Sequence, residues 1–376
     1  MVHRSKMNAG LCFPHPLFFR FHPFFLLPAL VLLSASSWAA GAENRIPASD
    51  PRFSLWGSWD RRAADRAITV NTGSVIVARF SGKSLTFTFD TSIYKHEKPT
   101  LWLRLDDGEW REIEVAERID AATTGPANQT HTARLVAKGF REWDNRWSPP
   151  LESALVFTGV ILGEGTKLLA PPPRPPMAIV FFGDSISEGV LALGRGAQGE
   201  WPKLSDGRRS FAFQTAELLD AVPHIVGFGR LGITVGGNGG VPRAIESLPF
   251  VYQGVKRERL QPTAVVINLG TNDAAAKAEQ FAQEYLAYVA AVRQAYPLAH
   301  IFCMRPFNGA HSREIRGGVE RLQASEDKMI YYVDTSTWID SKTDTTDGIH
   351  PNLAGHRRAA EGLASVIRQM LAVGLK

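Results

Sequence analysis

The spacing of apolar positions along this chain changes character near residue 170. Before that point, short runs rich in Val, Ile, Thr, Phe and Trp recur at 67–70, 74–80, 84–90, 100–105 and 131–137. Apolar and polar positions alternate strictly at 85–89 (LTFTF) and 101–105 (LWLRL), the period of a half-buried strand. Asp106, Asp107 and Gly108 follow the second of these as hairpin-turn chemistry. No stretch in this region holds a helical period, so it predicts an all-β sandwich or jelly roll over residues 43–170.

Residues 171–176 read PPPRPP. Proline has no backbone donor and a fixed φ, so this segment predicts a short stiff linker that joins neither core. Beyond it, continuous apolar runs alternate with helical periods. Strands are predicted at 177–183, 224–228, 263–269, 300–306 and 329–334. Helices are predicted at 211–219, 278–296, within about 312–322, and at 353–371. This order predicts an α/β domain over 177–376, a parallel sheet with helices on both faces. Two domains with separate cores are expected from a chain of 376 residues.

Four polar segments interrupt the α/β region in a fixed order: GDSISEG from Gly183, GRLGIT from Gly229, GTND from Gly270 and DGIHPN from Asp347. Two of them directly follow apolar runs, where strand ends feed loops and open α/β sheets place their sites. Ser185 is the candidate nucleophile, and a serine hydroxyl needs a base within hydrogen-bond reach. His350 is the candidate base. Asp347 lies three residues before it, close enough to reach back and fix the imidazole tautomer, while Asp344 competes for that role. Asp184 reads as a support to the site and Ser187 as a helix cap. The segment is not the Gly-x-Ser-x-Gly elbow of the α/β-hydrolases, because position 187 is serine.

The four segments together resemble those of the SGNH hydrolases, the GDSL esterase/lipase superfamily, with Ser185, Gly232, Asn272 and His350 at the matching positions. The resemblance covers roughly residues 177–373. It implies a flavodoxin-like three-layer α/β/α domain and an oxyanion hole made by the Ser185 N–H, a glycine N–H and the Asn272 side chain. Gly232 is the glycine at the expected offset from the preceding strand, with Gly229, Gly236 and Gly237 as alternatives. A β-sandwich ahead of such a domain is similar to the layout of the family 2 carbohydrate esterases. That layout implies removal of acetyl groups from xylan or a related glycan.

Two tryptophans are candidate substrate contacts. Trp201 lies in the long polar loop 191–209, which is placed either to cover the crevice or to run free over the surface. Trp338 follows the last strand and could stack on a sugar or simply pack. Six of the nine tryptophans fall in the β region, where core filling is the default. There is no HExxH and no Cys/His cluster, so no metal and no cofactor is expected.

Composition narrows the partners. The formal charge of +5 includes Arg4, Lys6 and Arg20, and without residues 1–42 it falls to +2. Basic runs interleaved with aromatics are absent, so nucleic acid is not an expected partner. Residues 24–33 form an apolar core of signal-peptide length, with Ala40, Gly41 and Ala42 as a small-residue cleavage site. Residues 1–42 are therefore expected to be a cleaved leader, and the protein a secreted or periplasmic monomer without lasting membrane insertion. Cys12 falls in the leader, leaving Cys303 alone. The expected function is an exported serine esterase taking short acyl groups from an acetylated polysaccharide or oligosaccharide. Its rivals are a lipase, lysophospholipase or thioesterase, and a non-catalytic glycan-binding protein.

Overall fold

The structure, a computed structural model, describes residues 43–196, 200–325 and 327–373. The expected leader, residues 1–42 with Cys12, lies outside the described residues. Eleven described strands precede the proline-rich segment: β1 (Arg45–Pro47), β2 (Phe53–Trp56), β3 (Ala67–Thr69), β4 (Val75–Ser81), β5 (Ser84–Phe89), β6 (Thr100–Leu105), β7 (Arg111–Glu114), β8 (Arg118–Ala122), β9 (Thr130–Gly139), β10 (Leu155–Leu162) and β11 (Lys167–Leu169). They form two antiparallel sheets. One runs β1-β10-β5-β8 with β3 also on β10, and the other runs β11-β4-β9-β6-β7 with β2 also on β4. Asp106 takes a positive φ of 53° in the turn that sends β6 into β7, as the Asp-Asp-Gly sequence requires.

Strand β4 explains how this half meets the other. Ile76, Ala78 and Phe80 face into the sandwich against Leu85, Phe87 and Phe157. Val75 and Val77, on the opposite face, pack with Trp102 and Val136 against Ile179, Phe181 and Phe211 of the α/β half. Both faces are buried, which is why the strand reads as the run VIVARF with little alternation. The sandwich thus keeps a core of its own, but the outer face of β4 is shared with the α/β half and Glu43–Lys376 is one compact unit. Val70, Trp147, Ala154 and Val156 share a further cluster with Val226 and Phe228. The proline segment is pinned as well, since Arg174 donates from Nε to Ser54 Oγ (3.0 Å) and from Nη2 to the Leu55 carbonyl (3.1 Å).

The α/β half has a parallel sheet of β12 (Met177–Gly183), β13 (Ala221–Gly227), β16 (Ala264–Asn268), β17 (His300–Met304) and β18 (Ile330–Val333), ordered β13-β12-β16-β17-β18. This is the flavodoxin-like order. Helices α3 (Phe211–Leu218) and α7 (Leu353–Val373) cover one face, with Ile179 and Phe181 beneath them; α5 (Ala278–Ala295) and α6 (Ser312–Ala324) cover the other, over Val180 and Phe182. Strand β13 starts three residues earlier than its apolar run, with Pro223 inside it. Being an edge strand paired only to β12, it tolerates the missing donor. A short hairpin of β14 (Phe250–Tyr252) and β15 (Val255–Lys256) and three single-turn helices, α1 (Ser185–Glu188), α2 (Trp201–Leu204) and α4 (Ala244–Ser247), had no sequence period long enough to read. Among the described residues no helix is long and apolar enough to cross a membrane.

Candidate active site

Strand β12 ends at Gly183, where an added Cβ would lie 1.9 Å from Ser187 Oγ, so the turn closes only with glycine. Asp184 is the N-cap of α1, its Oδ1 accepting the Ile186 N–H at 3.0 Å. This frees the hydroxyl of Ser185 from capping. It also corrects the capping role expected of Ser187, which sits inside α1 with its buried hydroxyl unpartnered. Glycine recurs at position 189, where the left-handed C-cap (φ 73°) lies against the Asp206 carbonyl.

His350 comes from the loop before α7. Its Nε2 lies 2.9 Å from Ser185 Oγ and its Nδ1 lies 2.8 Å from Asp347 Oδ2. Asp347 Oδ1 also accepts the backbone N–H groups of His350 (2.8 Å) and Ile349 (3.0 Å). Burial opposes the charge on Asp347, but the imidazole and these N–H groups outweigh it and hold the carboxyl far below the usual range. Burial likewise opposes an imidazolium at His350. The hydrogen bond and charge of Asp347, with the fields of Glu142 and Asp184, outweigh that and raise its pKa above the ordinary value. The rival Asp344 is directed elsewhere: it caps the Asp340 N–H and pairs with Arg358.

Asn272 reaches the same place from the turn after β16, which Gly270 opens with a φ of 124°. Its amide donates to Asp184 Oδ2 (3.2 Å) and to the Leu231 carbonyl (3.1 Å). Burial pushes the Asp184 carboxyl up to about 7. Gly232 is placed differently from expectation. Its N–H donates to the Val235 carbonyl at 3.0 Å and is not presented to Ser185. Glycine is required there because an added Cβ would lie 2.7 Å from both carboxylate oxygens of Asp273. That carboxylate accepts from the N–H groups of Ile233 (3.0 Å) and Thr234 (2.7 Å), so the last residue of GTND ties down the GRLGIT turn. Among the alternatives, the Gly229 N–H is directed to Glu188 and that of Gly237 to the Val241 carbonyl.

The β half supplies groups that sequence reasoning missed. Arg146 donates through Nη1 and Nη2 to the two carboxylate oxygens of Glu188, at 2.6 and 3.1 Å, and both side chains are buried. The pair therefore clamps the end of α1, the turn that carries Ser185. Asn71 donates to the Gly227 carbonyl and Thr72 to that of Glu188. Glu142 is 4% exposed and packs onto Gly229, where an added Cβ would lie 1.4 Å from Oε1. Burial, and then the charge of Glu188, push its carboxyl up to about 7. The available signal was the segment 140–147, FREWDNRW, in which four charged residues alternate with three aromatics without either secondary-structure period.

Of the two candidate tryptophans, Trp201 joins this segment: its ring lies 6.1 Å from that of Trp143, which is 38% exposed. Residues 202–206 of the 191–209 loop are held to the β half, with the Thr100 hydroxyl on the Pro202 carbonyl (2.8 Å) and Trp102 Nε1 on Asp206 Oδ1 (3.0 Å). Trp338, by contrast, packs across Gly362 of α7, ~13 Å along the helix from its start. Of the two roles open to it from sequence, this contact is the packing one.

A serine hydroxyl joined through an imidazole to a carboxylate, at the C-terminal edge of a parallel sheet, is the arrangement of an α/β serine hydrolase. Residues 181–358 match the GDSL-like Lipase/Acylhydrolase family. The chain is similar to the Cellulase/esterase CelE of Acetivibrio thermocellus, 32% identical over 231 residues, 57% of this chain and 28% of that protein. It therefore spans little more than a quarter of that relative. A family two carbohydrate esterase from Clostridium thermocellum, solved in complex with cellohexaose, is 25% identical with a TM-score of 0.71, covering 85% of this chain and 99% of that one. The corresponding structure from Cellvibrio japonicus is 19% identical with a TM-score of 0.73 (87% and 98%), and shares the fold.

Proposed function

We propose that this protein is an exported serine esterase that removes O-acetyl or other short acyl groups from a carbohydrate. The unbroken chain from Ser185 Oγ through His350 to Asp347, at 2.9 and 2.8 Å, carries the reading. Ser185 Oγ attacks the ester carbonyl as His350 Nε2 takes its proton, and Asp347 holds the proton on Nδ1 and stabilises the imidazolium. His350 returns the proton to the departing sugar oxygen, leaving an acyl group on Ser185. Water, activated by the same imidazole, then releases the acid. The developing oxyanion is met by the Ser185 N–H and by Asn272, which exchanges its 3.2 Å bond to Asp184 for the new one.

The carbohydrate half of the reading is supported by the esterase relatives and by the paired Trp143 and Trp201 rings, which suit an apolar sugar face. Export is supported by the pattern of residues 1–42. The test is acetate release by residues 43–376 from a panel of acetylated polysaccharides and from p-nitrophenyl esters of increasing chain length. Release confined to short acyl groups and abolished by Ser185→Ala, by about 10⁶-fold in kcat, is the expected result. Preference for long chains moves the protein to the lipase reading, and absence of turnover overturns the enzyme reading altogether.

A further inference from the structure

The Glu142 side chain is 4% exposed, and no described residue gives its carboxyl a hydrogen bond. Neither of its oxygens is among the fully buried unpartnered atoms, so the group keeps an opening through which a ligand hydroxyl can reach it. The nearby cation does not fill that place, because both terminal nitrogens of Arg146 are bonded to Glu188. The groups whose charges reach Glu142 are Glu188, Arg146, His350 and Asp184, which surround the Ser185 turn. Glu142 thus lies within electrostatic reach of the imidazole that must hand a proton to the departing alcohol, and the alcohol half of the ester has to sit at that imidazole.

We infer that Glu142, carried in from the β half, is a specificity residue that hydrogen-bonds a hydroxyl of the sugar on the alcohol side of the scissile ester. Its position is fixed by close packing against Gly229. The exposed Trp143 next to it, with Trp201, supplies an apolar platform for the same ring. The two halves of the molecule then form one site: the α/β half performs acyl transfer and the β half reads the alcohol.

This inference rests on the carbohydrate-esterase reading, and the experiment separates the two. Wild type, Glu142→Met and Glu142→Gln are compared on an acetylated xylo-oligosaccharide and on p-nitrophenyl acetate, whose leaving group offers no sugar hydroxyl. Glu142→Met is expected to lower kcat/KM for the sugar ester at least tenfold more than for the aryl ester, mainly through KM. Glu142→Gln, which keeps a donor and an acceptor, restores most of the sugar preference. Equal losses on both esters, no loss on either, or failure of the glutamine to restore preference overturns the inference while leaving the esterase reading intact. If the methionine variant is unstable, the glutamine variant together with Glu142→Asp, which withdraws the carboxyl by one methylene, decides the same ratio. Absence of Ser185-dependent turnover by the wild type overturns the functional reading, and the inference falls with it.

Discussion

Of the carboxyl groups that act on His350, Asp347 and Glu142 reach it from opposite regions of the molecule. Asp347 comes from the same loop as the imidazole and touches it directly, with three donors on its oxygens. Glu142 comes from the β half, more than two hundred residues away in sequence, and has no donor. The local pair holds the Asp347 carboxyl far below the usual range, whereas burial pushes that of Glu142 up to about 7. One carboxylate is therefore built to stabilise a charge on the protein, and the other to wait for a partner. The environment, not the residue type, sets this division.

Replacing Asp347 with Asn breaks the comparison at its stronger end and carries the largest effect. An amide can donate to Nδ1 and hold the wrong tautomer, so kcat should fall by about 10²–10⁴-fold. The pH profile gives the sign. Because His350 must be neutral to accept the serine proton, wild-type activity rises with pH through a pKa lying above the ordinary imidazole value. Without Asp347, burial dominates, the imidazole pKa drops, and the rising limb moves to lower pH. A measured kcat/KM profile with an unmoved limb and an undiminished kcat would mean that Ser185 and His350 suffice as a dyad.

Replacing Arg146 with Met tests the β half's hold on the nucleophile. It leaves Glu188 buried without its partner, a loss of about 3–5 kcal/mol of stability. Chemical denaturation should show that loss, and kcat should fall on every ester alike, because α1 carries Ser185. Full activity with a lowered denaturation midpoint would show that the clamp serves the fold without positioning the hydroxyl.

The same division decides what could be read from sequence. Ser185, His350 and Asp347 were legible because each lies in a short segment whose chemistry is local: a cap and turn after a strand, or a carboxylate three residues before a histidine. The parallel sheet was legible because its strands are apolar on both faces, as in β12 and β16. Glu142, Arg146 and Asp273 were not, since each acts through a contact made only when distant segments meet, such as Asp273 with the Gly232 turn. Gly232 itself shows the risk of reading a motif as geometry. The glycine stands at the expected offset, but it is there to admit Asp273, and its N–H is taken by Val235. Separate cores were expected because the change in apolar period at residue 170 marks a change of architecture. Period carries no information about whether an outer sheet face, here Val75, Val77 and Trp102, is covered.

The finest test of the comparison leaves both carboxyls in place and moves only one. In Gly229→Ala the added methyl would fall 1.4 Å from Glu142 Oε1, so the carboxyl has to leave its seat. Overpacking of this kind costs about 1–3 kcal/mol. The Gly229 N–H remains available to Glu188, and His350, Asp347 and Ser185 keep their own contacts. Aryl-ester turnover should therefore fall by less than sugar-ester turnover, in the same direction as Glu142→Met but by a smaller factor. The paired measurement is kcat/KM on the two esters, alongside the thermal midpoint. A lowered midpoint with an unchanged ratio would show that the position of the Glu142 carboxyl is a matter of packing, and the asymmetry between the two sides of His350 would then have no bearing on which ester the site accepts.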